Sequence, residues 1–275
     1  MYRFKSDASA ANKLGLDRSF RCRMLGGRLG ALLPALVLAA LLLLPAQSAI
    51  AAETDDSVIA VRLAQLLQAA RTVVSQHQDL INNPNLGEKG LTADRLLAET
   101  VAVYQKQTGH DPYATDPNSK EGRLLRAQME AIKEIVVENQ STINKPGLGF
   151  KGFIPAVFAR LVNEKFAERV GTEARVKVTA PEKLIRNRKA RPDDWEVSII
   201  ESKFSRSDWP KGGSFEERTT AEGRPAFRLI VPEYYVRSCL MCHGEPAGKM
   251  DITGYPMEGG KEGDLGAAVS VTLFE

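Results

Sequence analysis

Five consecutive residues, Cys239-Leu240-Met241-Cys242-His243, concentrate the chemistry of this chain. Two thiols separated by two residues and followed at once by an imidazole form the C-x-x-C-H pattern that attaches a c-type haem. Each thiol can add across one vinyl group of a porphyrin, and the adjacent imidazole then meets the iron as its proximal ligand. The chain holds only 3 Cys and 3 His in 275 residues, so chance placement gives this pattern in about 4 of 10,000 such chains. Cys239 and Cys242 are therefore assigned to the thioethers of one covalent haem c, and His243 to the iron.

Other uses of the same residues are weaker. A redox-active dithiol follows a strand and opens a helix whose N-terminus lowers the thiol pKa. Tyr234-Tyr235-Val236 suit the strand, but His243-Gly244-Glu245-Pro246 breaks the chain immediately. A structural zinc needs four ligands, and His77 and His110 lie far upstream. A disulfide across two residues would be strained and would leave His243 without a role.

The sixth iron position stays open among several candidates. His77 falls on an apolar helical seam, where a polar ring needs a buried partner. His110 sits in the loop Thr108-Gly109-His110-Asp111-Pro112, and Met250 and Met257 lie in the glycine-rich stretch after the motif. An iron left open or bound to water is the remaining alternative.

The N-terminus predicts export. Residues 1–30 carry seven basic residues against Asp7 and Asp17, an apolar stretch runs from Ala31 to Leu44, and Ala49-Ile50-Ala51 supplies a small-x-small cleavage pattern. Residues 1–52 are read as a signal peptide, with an uncleaved anchor as the alternative, and the destination as the periplasm. The whole chain has 37 basic and 34 acidic residues; the first 52 carry 7 and 2, which leaves 30 against 32. A near-neutral exported domain gives no basis for nucleic-acid binding. Cys22 departs with the leader, so no third thiol remains to ligate iron.

These residues must be positioned by the elements around them. Ile59, Leu63, Leu66, Ala70, Val73, His77 and Leu80 recur at steps of four and three, a helical seam for which Thr54 or Asp55 is the expected cap. The seam allows a homodimer through this helix, or packing on the chain's own sheet. Thr92 opens a second helix that Gly109 closes, and Asn118 or Ser119 caps a third. Pro84-Asn85-Leu86-Gly87-Glu88-Lys89-Gly90 is echoed 62 residues later by Pro146-Gly147-Leu148-Gly149-Phe150-Lys151-Gly152, each ahead of a helix and then a glycine. After Gly171 the pattern turns strand-like: 174–179, 215–220, 226–231 and 266–273 read as strands, with a capped helix starting at Pro192-Asp193-Asp194-Trp195. The fold class is α+β: a helical region over 53–172 preceding an antiparallel sheet over 173–275, as one structural domain.

The blocks Phe150-Lys151-Gly152-Phe153-Ile154-Pro155-Ala156-Val157-Phe158-Ala159-Arg160, Arg186-Asn187 with Pro192-Asp193-Asp194-Trp195-Glu196, Cys239 to Pro246, and Gly263-Asp264-Leu265-Gly266 together resemble the haem-c-binding, PAS-like sensor domain once catalogued only as a domain of unknown function. The resemblance runs over most of 54–275. It implies a PAS-like antiparallel sheet that holds the haem, with helices packed before it. Two departures stand out. Members often have Asn-Pro-x-Asn where this chain has Asn187-Arg188-Lys189-Ala190, and some place an upstream cysteine on the iron where this exported chain has none.

Two functions follow as expectations. One is a periplasmic haem sensor or binding module, answering redox change or a diatomic gas. The other is a monohaem electron carrier working with a redox partner protein. Trp195, Trp209, Tyr234 and Tyr235 are candidates to pack on a porphyrin, and Arg186, Arg224 and Arg237 to pair with its propionates. No catalytic triad, P-loop or paired-carboxylate motif is present, and a distal His-Arg pair for peroxidase chemistry is not evident, so an enzyme is not expected.

Overall fold

The computed structural model describes residues 44–275, with side chains from residue 55 onward. Most of the predicted leader, residues 1–43, lies outside the described residues, and Ala49-Ile50-Ala51 falls within the first helix. Residues 48–275 form one compact unit. It is α+β, with seven α-helices among the described residues and a four-stranded antiparallel sheet.

Helix α1 spans Leu44–Gln76, so Thr54 and Asp55 stand inside it and do not cap it. The heptad spacing does its work within the chain: Ile59, Leu63, Leu66, Ala70 and Val73 are all buried. By length and composition the stretch Asp55–Gln76 could cross a membrane, but over half of it is buried inside the protein. The seam that would carry a helix-mediated dimer is occupied by the protein's own core. A one-turn helix α2 (Gln78–Ile81) follows a break at His77.

Helices α3 (Ala93–Thr108), α4 (Lys120–Ile143) and α5 (Pro155–Val170) complete the helical layer. Thr92 caps α3 by accepting from the N–H of Arg95, and Ser119, not Asn118, caps α4 by accepting from Gly122. Such caps satisfy donors that the first helical turn leaves unpaired.

The echo at an offset of 62 is a repeated structure. In both copies a helix ends at an isoleucine (Ile81, Ile143), the loop places a glycine in the left-handed region (Gly90, φ 64°; Gly152, φ 70°), and a 16-residue helix follows. The copies complete each other. Asn82 Oδ1 accepts the N–H of Lys151 at 3.0 Å, and Asn144 Oδ1 accepts that of Lys89 at 3.3 Å. The buried Lys89 ammonium donates to the Leu86 carbonyl, and the buried Lys151 ammonium to the matching Leu148 carbonyl.

The sheet comprises β1 (Ala174–Thr179), β2 (Phe215–Ala221), β3 (Arg224–Tyr234) and β4 (Leu265–Phe274), in the order β1-β4-β3-β2. Its register aligns Val176 with Val271 and Val271 with Leu229. With Phe227, Val269 and Leu273, these alternate residues form the face packed on the helices. The opposite face buries Ile230 and Ala268 under Ile199, Ile200 and Phe204. Those three come from helix α6 (Asp194–Ile199), which continues into a wider turn over Ile200–Phe204 and is started by a capping box between Asp193 and Glu196. Buried Arg228 crosses this face, paired with Asp193 and Glu196 and lying 4.1 Å from the centre of the Trp195 ring.

Candidate functional site

At the end of β3 the sheet breaks register between Glu233 and Tyr234. The chain enters a 3-10 turn (Arg237–Cys239) and then the single-turn helix α7 (Leu240–His243). Residues three apart on such a turn share a face, so Cys239 and Cys242 point the same way. Both are free thiols, and both are partly accessible. The Cys242 thiol is pushed above the ordinary range by burial, and further by the charge of Asp251 and its hydrogen bond to it.

His243 is fixed on three sides. Its Nδ1 lies 2.9 Å from Glu258 Oε2. Its ring stacks on Tyr235, with centroids 5.1 Å apart and planes inclined by 19°. Its carbonyl accepts the N–H of Gly260 at 2.7 Å. Among the described residues Nε2 has no hydrogen-bond partner. An ionised carboxylate can only accept, so in the neutral ring the proton sits on Nδ1 and Nε2 carries the lone pair a metal needs.

Glu258 is itself anchored. Arg186 donates to Oε1 through Nε at 2.8 Å and to Oε2 through Nη2 at 2.9 Å. The same guanidinium reaches Asp251 Oδ2 at 2.6 Å and the Cys242 carbonyl at 2.8 Å. Burial alone would raise the Glu258 carboxyl, but the hydrogen bonds and charges of Arg186 and His243 prevail and hold it below its ordinary value. Asp251 behaves likewise: burial is outweighed by bonds from Thr253, Arg186 and the N–H groups of Tyr255 and Thr253, which hold its carboxyl far below the usual range.

Tyr235 has its own cradle. A Cβ at Gly260 would come within 2.6 Å of the ring's Cε2, and one at Gly266 within 2.2 Å of Cε1. Two glycines thus grip opposite edges of the ring while His243 covers its face. The Tyr235 hydroxyl is buried without a partner, and burial, reinforced by the Glu258 charge, pushes its pKa up to about 12. It remains a donor at any physiological pH.

Around the motif several large apolar side chains are exposed, Val236, Met241, Met250, Ile252 and Tyr255, interleaved with exposed Arg237, Glu245 and Lys249. The end of α1 lies alongside, with Ser75 Oγ 3.5 Å from Ser238 Oγ and Arg71 paired with Glu233 at the end of β3.

His77 makes its side-chain hydrogen bond away from the motif. Its Nε2 lies 2.5 Å from Glu99 on α3, which supplies the partner that a half-buried ring requires. His110 Nε2 pairs with Thr115. Met257 is buried, and Met250 faces solvent. Trp195 and Trp209 belong to the core on the far face of the sheet. Arg186, a propionate candidate by sequence, is instead committed to Glu258 and Asp251. Glu258 was not singled out by sequence reasoning. The available signal was a requirement: an iron-ligating histidine needs an acceptor for its other ring nitrogen, and Glu258 is one of the few carboxylates shortly after the motif. Among the described residues no three or more His, Cys, Asp or Glu side chains converge to hold a metal ion.

The chain is thus an α+β domain in which a carboxylate-oriented histidine closes a C-x-x-C-H turn at the end of an antiparallel sheet. It belongs to the Tll0287-like family, which matches residues 50–273. No curated protein and no solved structure matches the chain.

Proposed function

We propose that this protein is an exported, periplasmic monohaem c-type sensor or binding module, with the haem joined to Cys239 and Cys242 and His243 as the proximal ligand. The observation that carries the reading is the state of His243: Nδ1 is engaged by Glu258, and Nε2 is unclaimed beside two free thiols on the same turn. The donor set fits the group. The unpartnered Tyr235 hydroxyl and the exposed ring of Val236, Met241, Met250, Ile252 and Tyr255 also suit a large, mainly apolar ligand with polar edges.

Bound there, a haem supplies one-electron chemistry and an iron that diatomic gases can reach. The protein's own part is to fix the imidazole. Glu258 holds the Nδ1 proton, Tyr235 blocks ring rotation, and Arg186 ties Glu258 to the main chain of the motif. The four-stranded sheet and the helices packed on it support a PAS-like reading of the fold.

Production in a host with a c-type maturation system tests the reading. Pigment that survives acidified acetone is expected in the wild type and not in C239A/C242A. Colourless wild-type protein overturns it. Exposure of the motif favours a second reading, a monohaem electron carrier, because a haem edge at the surface shortens transfer to a docked redox protein. A reduced protein that binds CO supports the sensor, and one that rejects CO supports the carrier.

A further inference from the structure

We propose that Glu258 is a positioning residue that lowers the reduction potential of a haem held at His243, with Arg186 as the brace that keeps it in place. The inference rests on the haem reading above. Glu258 follows His243 by 15 residues and returns to it through the hairpin in which Met250 pairs with Pro256. Its Oε2 receives both His243 Nδ1 and Arg186 Nη2, each at 2.9 Å. The same guanidinium grips the Cys242 carbonyl, one residue before His243. Carboxylate, imidazole and motif backbone are therefore locked as one body, and the bond at Nδ1 is built into the fold.

A ring that donates Nδ1–H to a carboxylate takes on imidazolate character, which makes Nε2 a stronger donor. Ferric iron carries one more positive charge than ferrous iron, so a stronger donor favours the ferric state. The charges nearest the imidazole act in the same direction, because Asp251 and Glu258 both pair with Arg186, two carboxylates against one guanidinium. The site is biased toward oxidised iron. That bias suits a response to reductants or ligands better than delivery of electrons at high potential.

The test uses the exported, haem-loaded protein as wild type, Glu258→Gln and Glu258→Asp. Two quantities are measured: the potential by spectroelectrochemical titration, and the ferrous Fe–His stretch by resonance Raman. Removing the charge in Glu258→Gln is expected to shift the ferric/ferrous equilibrium about tenfold toward ferrous, a rise of about 59 mV, with a lower Fe–His frequency. Glu258→Asp is expected to lie between the two, and carries the test alone if the glutamine variant does not load haem. Unchanged potential and frequency overturn the inference. A shifted potential with an unchanged Fe–His frequency also overturns it, since any nearby charge would then suffice. Covalent pigment is measured on the same samples: its absence from wild type sinks the haem reading, whereas its presence with unaltered values sinks only the role of Glu258.

Discussion

Gly266→Ala tests whether the Tyr235 cradle positions the site. The added Cβ would lie 2.2, 2.5 and 2.8 Å from Cε1, Cδ1 and Cζ of Tyr235, whereas carbon atoms in good contact sit roughly 3.5–4.0 Å apart. The ring must therefore yield by about 1 Å. It cannot slide away, because its opposite edge already abuts Gly260, where a Cβ would meet Cε2 at 2.6 Å. The remaining movements are a tilt into His243 or a local shift of β4. Overpacking of this kind costs about 1–3 kcal/mol, offset by about 0.4–1 kcal/mol from the stiffer unfolded chain. A net loss of about 1.3 kcal/mol is expected in urea unfolding, together with a changed haem spectrum. A double-mutant cycle isolates the cause. On a Tyr235→Ala background the Gly266→Ala penalty should largely vanish. A single variant within about 0.5 kcal/mol of wild type, or an equal penalty on both backgrounds, would refute the reasoning.

Three further outcomes are expected. His77→Ala should leave the oxidised and reduced haem spectra unchanged, because Glu99 already occupies its Nε2; a loss of low-spin character would return His77 to the iron. Arg228→Met should cost about 3 kcal/mol in urea unfolding, because it strands the buried Glu196 with Lys177 alone and removes the stack on Trp195; a cost below about 1 kcal/mol would show the cluster to be dispensable. At Asp193, burial would raise the carboxyl, but hydrogen bonds from Arg228 and the Glu196 N–H hold it below its ordinary 3.8. A carboxyl lowered in the folded state adds stability above that ordinary value and loses it as pH falls through the lower folded value. Wild type should therefore lose stability more steeply below about pH 4 than Asp193→Asn, which keeps the cap; parallel pH profiles would contradict this.

Much of the fold was legible because its signals are local. The 174–179 strand coincides with β1, and Thr92, Ser119 and Asp193 cap helices as their types and positions suggest. The repeat at 62 residues was visible in the sequence, but its reciprocal asparagine caps were not, since they join residues 55 and 69 positions apart. Helix α1 overran its expected start because alanine-rich sequence with no proline beyond Pro45 gives a helix no reason to stop at Thr54. At the site, the motif put two thiols and an imidazole on one short turn, and their spacing was plain in the sequence. The acid that orients His243, the arginine that braces it and the glycines that admit Tyr235 are set by loop closure, which leaves no period in the sequence. His77 shows the converse: the seam demanded a partner for its ring, but sequence could not say that Glu99 on α3 would be one.

The exchange of asparagines between the two loops has a consequence for how the helical layer holds together. Neither loop is finished until the other has arrived, so each half of the repeat is an incomplete object on its own. A thermal opening that frees one turn also uncaps its twin, and the pair should give way in a single step.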